Sequence, residues 1–116
     1  MSGEAPSQGE PSRASVAAAA TRLLKLSRQM VHRAEVGDWD GVMERNALRE
    51  VQARRLPQSP GAPGAELARD ALRRSLEMDR QVRALMEAER DRLAAASREE
   101  QRGEQARSAY VRFSSL

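Results

Sequence analysis

Apolar positions recur at helical spacing along most of the chain. Between Glu66 and Tyr110, Leu72, Leu76, Val82, Leu85, Met86, Leu93 and Ala96 fall along one stripe, with no proline and, until Gly103, no glycine. That spacing predicts a long amphipathic helix. From about Arg13 to Val36, Val16, Ala19, Ala20, Leu23, Leu26, Met30 and Ala34 share a face, while Arg22, Lys25, Arg28, Gln29 and Arg33 lie mostly opposite. This predicts a first helix, with Ser12 or Ser15 as its N-cap. Gly37 suits the left-handed residue that ends such a helix, and Asp38 suits the cap of the next. A second helix over about 39–56 has a weaker pattern. Trp39, Val42, Met43, Ala47, Val51 and Leu56 would form its inner face, but Arg45, Asn46 and Arg49 crowd that face. Trp39 itself reads as a core plug at the hairpin end, in preference to an exposed partner anchor.

The segment Pro57–Gly64 holds three prolines and two glycines in eight residues and cannot continue a helix. The chain is thus expected to divide as follows: a disordered arm over 1–12, a helical domain over 13–111 with helices at about 13–36, 39–56, 65–101 and 104–111, and a tail over 112–116. Gly103 is the expected break between the last two helices. The fold class is all-α, an antiparallel helical bundle of three main helices with a short C-terminal helix or tail. A short linker between the first two helices implies an αα-hairpin.

Composition sharpens this picture. At 116 residues the chain is one domain, and only Trp39, Tyr110 and Phe113 are aromatic, which excludes a sandwich or barrel rich in β-branched and aromatic residues. The net charge is +3, and of 20 basic residues Lys25 is the one lysine. Acidic and basic residues are interspersed, so no basic stripe singles out nucleic acid as the partner. The absence of cysteine excludes disulfides and thiolate metal sites and fits a reducing compartment. No apolar run reaches the ~20 residues of a membrane span. Val16–Ala20 lacks the preceding basic region of a signal peptide, which leads to a cytoplasmic reading.

Candidate chemistry is sparse. His32 and Glu35 have a spacing that could share a metal, but two ligands do not complete a site, and a surface histidine is the better reading. Asp79 and Glu89, roughly 15 Å apart along one helix, are too distant for joint acid–base work. Salt bridges, to Arg83, Arg92 or the hairpin helices, account for them more simply than a polar contact to a docked peptide. The residues therefore predict no enzyme, no cofactor and no metal. The partner-binding candidates are those of the third-helix stripe: Leu72, Leu76, Asp79, Val82, Leu85, Met86 and Leu93. The same stripe would also serve a homodimer.

Several short runs, in order, resemble the flagellar export chaperone FliT family. Leu26-Ser27-Arg28-Gln29-Met30 and Gly37-Asp38-Trp39-Asp40 are similar to its first hairpin. Arg49 falls where its second helix often has arginine. Leu76-Glu77-Met78-Asp79-Arg80-Gln81-Val82, continued by Leu85, Arg90 and Leu93, resembles its third helix. Arg102-Gly103 with Ala106, Ala109 and Tyr110 resembles its C-terminal motif. Arg45 departs from the pattern, which has a leucine there. The resemblance implies binding to the C-terminal segment of the filament-capping protein FliD before type III export. It also implies contact with the export ATPase complex and, in some members, with a flagellar transcription regulator. In some members, it further implies, the C-terminal segment, here carrying the gating candidates Arg107, Tyr110 and Phe113, covers the binding surface until a partner displaces it. The rival reading is a regulator or adaptor that binds a transcription factor or export-apparatus subunit through the same groove.

Overall fold

A computed structural model describes residues 12–115. The arm expected to be disordered falls outside the described residues apart from Ser12, as does Leu116. Three helices account for the described chain: α1 (Arg13–Glu35), α2 (Trp39–Arg54) and α3 (Ala65–Ser114). Two compact units partition it, Met1–Val82 and Arg83–Leu116.

In the first unit, α1 begins with a reciprocal cap. Ser12 Oγ accepts from the Ser15 amide at 3.1 Å, and Ser15 Oγ accepts from the Ser12 amide at 2.8 Å. Two of the donors that a helix start leaves open are satisfied in this way, worth about 1 kcal/mol. The other end closes through Gly37, at φ +76°. The Gly37 amide donates to Ala34 O and the Asp38 amide to Arg33 O. This pair of bonds is the Schellman pattern, which requires the left-handed residue that glycine adopts without strain. Asp38 then caps α2 by accepting from the Gly41 amide at 2.9 Å. A linker of three residues thus closes one helix and opens the next.

Along α1, Val16, Ala19, Ala20, Leu23, Ser27, Met30 and Ala34 are buried. This is the face expected from the period, with Ser27 added and Leu26 only half-buried. Val16, Ala19, Ala20 and Leu23 cluster with Leu56, Ala68 and Ala71, and Leu24, Ala53 and Leu67 pack against them.

The second helix corrects its expected inner face. Within α2 only Gly41 and Val42 are buried, with Leu56 just beyond its end. Met43 is 63% exposed and Val51 41%, Ala47 is exposed, and Trp39 is half-buried. The half-buried positions are instead Arg45, Asn46, Arg49, Gln52 and Ala53. The polar residues that looked like intruders lie half-buried on the packing face, and of them Arg49 finds partners on both neighbouring helices.

The eight-residue loop ends at Gly64, at φ +78°. A Cβ there would lie 2.7 Å from Val16 Cβ, so close approach and backbone conformation both demand glycine. From this point α3 buries Ala65, Ala68, Ala71, Ser75 and Val82. These are small residues at spacings near three and four, and they admit close approach to α1. The starts of α1 and α3 meet at Arg13 and Glu66, 3.1 Å apart, and further along both helices Ser27 Oγ and Ser75 Oγ are 2.9 Å apart.

In the second unit, the expected break at Gly103 and a separate helix over 104–111 do not occur. Helix α3 continues through Gly103 to Ser114. The neighbours Arg102, Glu104, Gln105 and Ala106 are strong helix formers, and one interior glycine costs only about 1 kcal/mol against them. Near its end, Ser114 Oγ and Ser115 Oγ donate back to Tyr110 O and Val111 O, which satisfies carbonyls left open at a helix terminus.

Candidate functional site

Two features of the first unit bear on function. One is a polar node where all three helices meet, and the other is a set of exposed leucines beside it on α3.

The node is organised by Arg49. Its Nη1 donates to Asp79 Oδ1 at 2.6 Å, to Ser75 Oγ at 3.0 Å and to Ser27 Oγ at 3.3 Å. Its Nη2 donates to Asn46 Oδ1 at 2.9 Å and to Asp79 Oδ2 at 3.3 Å. The side chains of Arg49 and Asp79 retain only 14% and 29% of their exposure. A two-pronged guanidinium–carboxylate pair fixes geometry as well as charge. One arginine on α2 thereby ties a serine on α1 to a serine and an aspartate on α3. Such a half-buried node favours one register among three otherwise small-faced helices.

The node also relocates Asp79. Placed by sequence among partner contacts, its carboxylate is held by Arg49 instead, as the salt-bridge reading to the hairpin helices foresaw. Glu89 pairs within its own helix with Arg92 at 2.7 Å. The hydrogen bond from Arg92 holds the Glu89 carboxyl below its ordinary value. Ser27 and Ser75 were missed as functional positions. Their signal was a hydroxyl on an otherwise apolar helical face, Ser27 four residues after Leu23 and Ser75 four after Ala71.

The remaining stripe residues divide by exposure. Val82 is buried at 6% and Leu85 is half-buried. Leu72 is 41% exposed and Leu76 61%. The packing face of α3 is its alanine–serine face, so the larger leucines beside it stay in solvent. In the second unit, Met86 and Leu93 are exposed, as are Tyr110 and Phe113, and Arg107 lies among exposed residues of the same helix. Contiguous exposed apolar side chains at helical spacing mark a protein-binding surface more often than scattered single ones do.

His32 is exposed, and among the described residues no three His, Asp or Glu side chains converge as a metal site would require. No described helix is long and apolar enough to cross a membrane.

A family model described as "Flagellar protein FliT" matches residues 17–112. No curated protein and no solved structure matches the chain.

Proposed function

The chain belongs to the FliT family of flagellar proteins, and on that premise we propose that it is a cytoplasmic export chaperone. Its client is the C-terminal region of the filament-capping protein FliD, which it keeps unassembled before type III export. The observation that carries the reading is the outward placement of Leu72 and Leu76 on a helix whose small-residue face is already packed. An amphipathic client helix lays its apolar side on such a stripe. In this reading α1, α2 and the start of α3 form an antiparallel bundle whose work is to hold the stripe rigid. Leu85, Met86 and Leu93, in the second unit, are further candidates for client contact. Asp79 and Val82 support the stripe from within instead of touching the client. A C-terminal gate formed by Arg107, Tyr110 and Phe113 would require α3 to open near Gly103, where the helix is continuous. The export ATPase complex and a flagellar transcription regulator are secondary partners that the family resemblance adds.

Calorimetric titration with the C-terminal segment of the capping protein tests this. Leu72→Asp with Leu76→Asp should weaken binding by about 30-fold or more, as expected for loss of an apolar anchor. The helical circular dichroism should be unchanged, because both side chains are exposed. Normal affinity in the double variant would place the client elsewhere. Deletion of residues 108–116 should tighten binding if the gate competes; equal or weaker affinity removes the gate from the scheme.

A further inference from the structure

Away from the α3 stripe, the α1–α2 hairpin carries a groove of its own. Its volume is about 350 Å³, and Leu26 of α1 with Leu48 and Val51 of α2 supply its apolar lining. Arg22 and Lys25 stand on the α1 side. Arg55 lies three residues after Gln52 and four after Val51, on the same side of the chain leaving α2. None of these three cations makes a salt bridge within the described residues. The acids on this flank of α2 are Asp40 and Glu44, two turns and one turn before Leu48 and outside the groove's lining. The rim is therefore cationic at the end near Arg22 and Arg55 and anionic at the other. Gln52 Oε1, in the groove wall, is buried without a donor.

We propose that this groove is a second docking site, for an amphipathic helix whose apolar stripe is flanked by acidic residues. The lining runs along α1 from Arg22 to Gln29, about 10 Å or two helical turns. That length matches anchors at i, i+3 and i+7 of a guest helix. Charge complementarity selects the guest and its direction: its carboxylates face Arg22, Lys25 and Arg55, and its other end lies toward Glu44. The site shares no residue with the α3 stripe, so it stands whether or not the stripe binds the capping protein.

The test uses the full chain, isotope-labelled, and two synthetic peptides. Both carry leucines at i, i+3 and i+7; one has glutamates flanking them and the other lysines. The glutamate peptide should shift backbone amides of residues 22–29 and 48–52. It should bind about tenfold more tightly than the lysine peptide at low salt, with the preference shrinking as salt rises. The variant Arg22→Glu/Lys25→Glu changes exposed side chains only, keeps its helical signal and should invert the preference. Equal affinity for the two peptides, shifts confined to 72–76, or a preference untouched by the charge reversal would each overturn the proposal. Binding of the capping-protein segment is read on the same variant. Retained affinity supports two separate sites, and its loss would show that the capping-protein segment itself docks in this groove and end the proposal of a second site.

Discussion

Helices α1 and α2 belong to the same hairpin yet hold it together by opposite means. The first buries Val16, Ala19, Ala20, Leu23, Met30 and Ala34 and keeps its charges outside. The second leaves Met43, Leu48 and Val51 outside and turns Arg45, Asn46, Arg49 and Gln52 toward its neighbours. The apolar seam supplies most of the stability, since burying apolar area is favourable in any register that removes it from water. The polar node contributes less net free energy, because desolvation offsets much of its attraction. What it adds is discrimination, since Arg49 meets Ser27, Ser75 and Asp79 together in one alignment only.

Substitutions separate these contributions. The largest loss is expected from Leu23→Ala, at the 1% exposed centre of the seam: about 3 kcal/mol by urea denaturation, with the denaturant slope unchanged. Arg49→Met should follow at about 2 kcal/mol, since it strands the Asp79 carboxylate without its guanidinium donor while Ser27 and Ser75 keep their bond to each other. Replacing Asp79 by Leu in that background should recover part of the loss, and a purely additive double variant would show that the node has no coupling to give. Gly64→Ala should cost about 2 kcal/mol through its positive φ and the collision with Val16, although it touches no polar group. If its cost falls near zero, the loop is free to move away from the seam.

The smallest effect concerns Glu66 in the first turn of α3. Its backbone hydrogen bond at the helix start, followed by the contact with Arg13, holds its carboxyl below the ordinary value of 4.5. A depressed carboxyl contributes stability above the unfolded value and loses it as pH falls through the folded one. Glu66→Gln should therefore flatten the acid limb of the stability profile slightly and leave the register of the three helices unchanged. An acid limb identical to the parent's would remove Glu66 from that role.

Much of this architecture is legible in the sequence because it rests on local rules. The α1 face follows its period, the hairpin follows Gly37-Asp38, and the loop follows its prolines. Three readings needed the neighbours. The stripe reading names Leu72, Leu76 and Val82 alike as partner contacts, but close approach to α1 selects alanine and serine, so the leucines face outward while Val82 is buried. Arg49 seemed to spoil the α2 face because its acceptors, Ser27, Ser75 and Asp79, lie 22, 26 and 30 residues away along the chain. Gly103 looked like a stop because a lone glycine carries that meaning near helix ends, yet strong helix formers on both sides carry the helix through. Of the candidate site, the stripe residues were identifiable by spacing, whereas which of them face solvent depends on the packing of the alanine face.

The composition leaves one practical mark on the hairpin groove. With arginine at every other basic position, Lys25 is the only side-chain amine of the chain, and it stands on the groove's rim. Lysine acylation, by an enzyme or by a labelling reagent, therefore has a single side chain to act on. A label there reports on this groove alone, and an acetyl group there would remove one of its three rim cations in a single step.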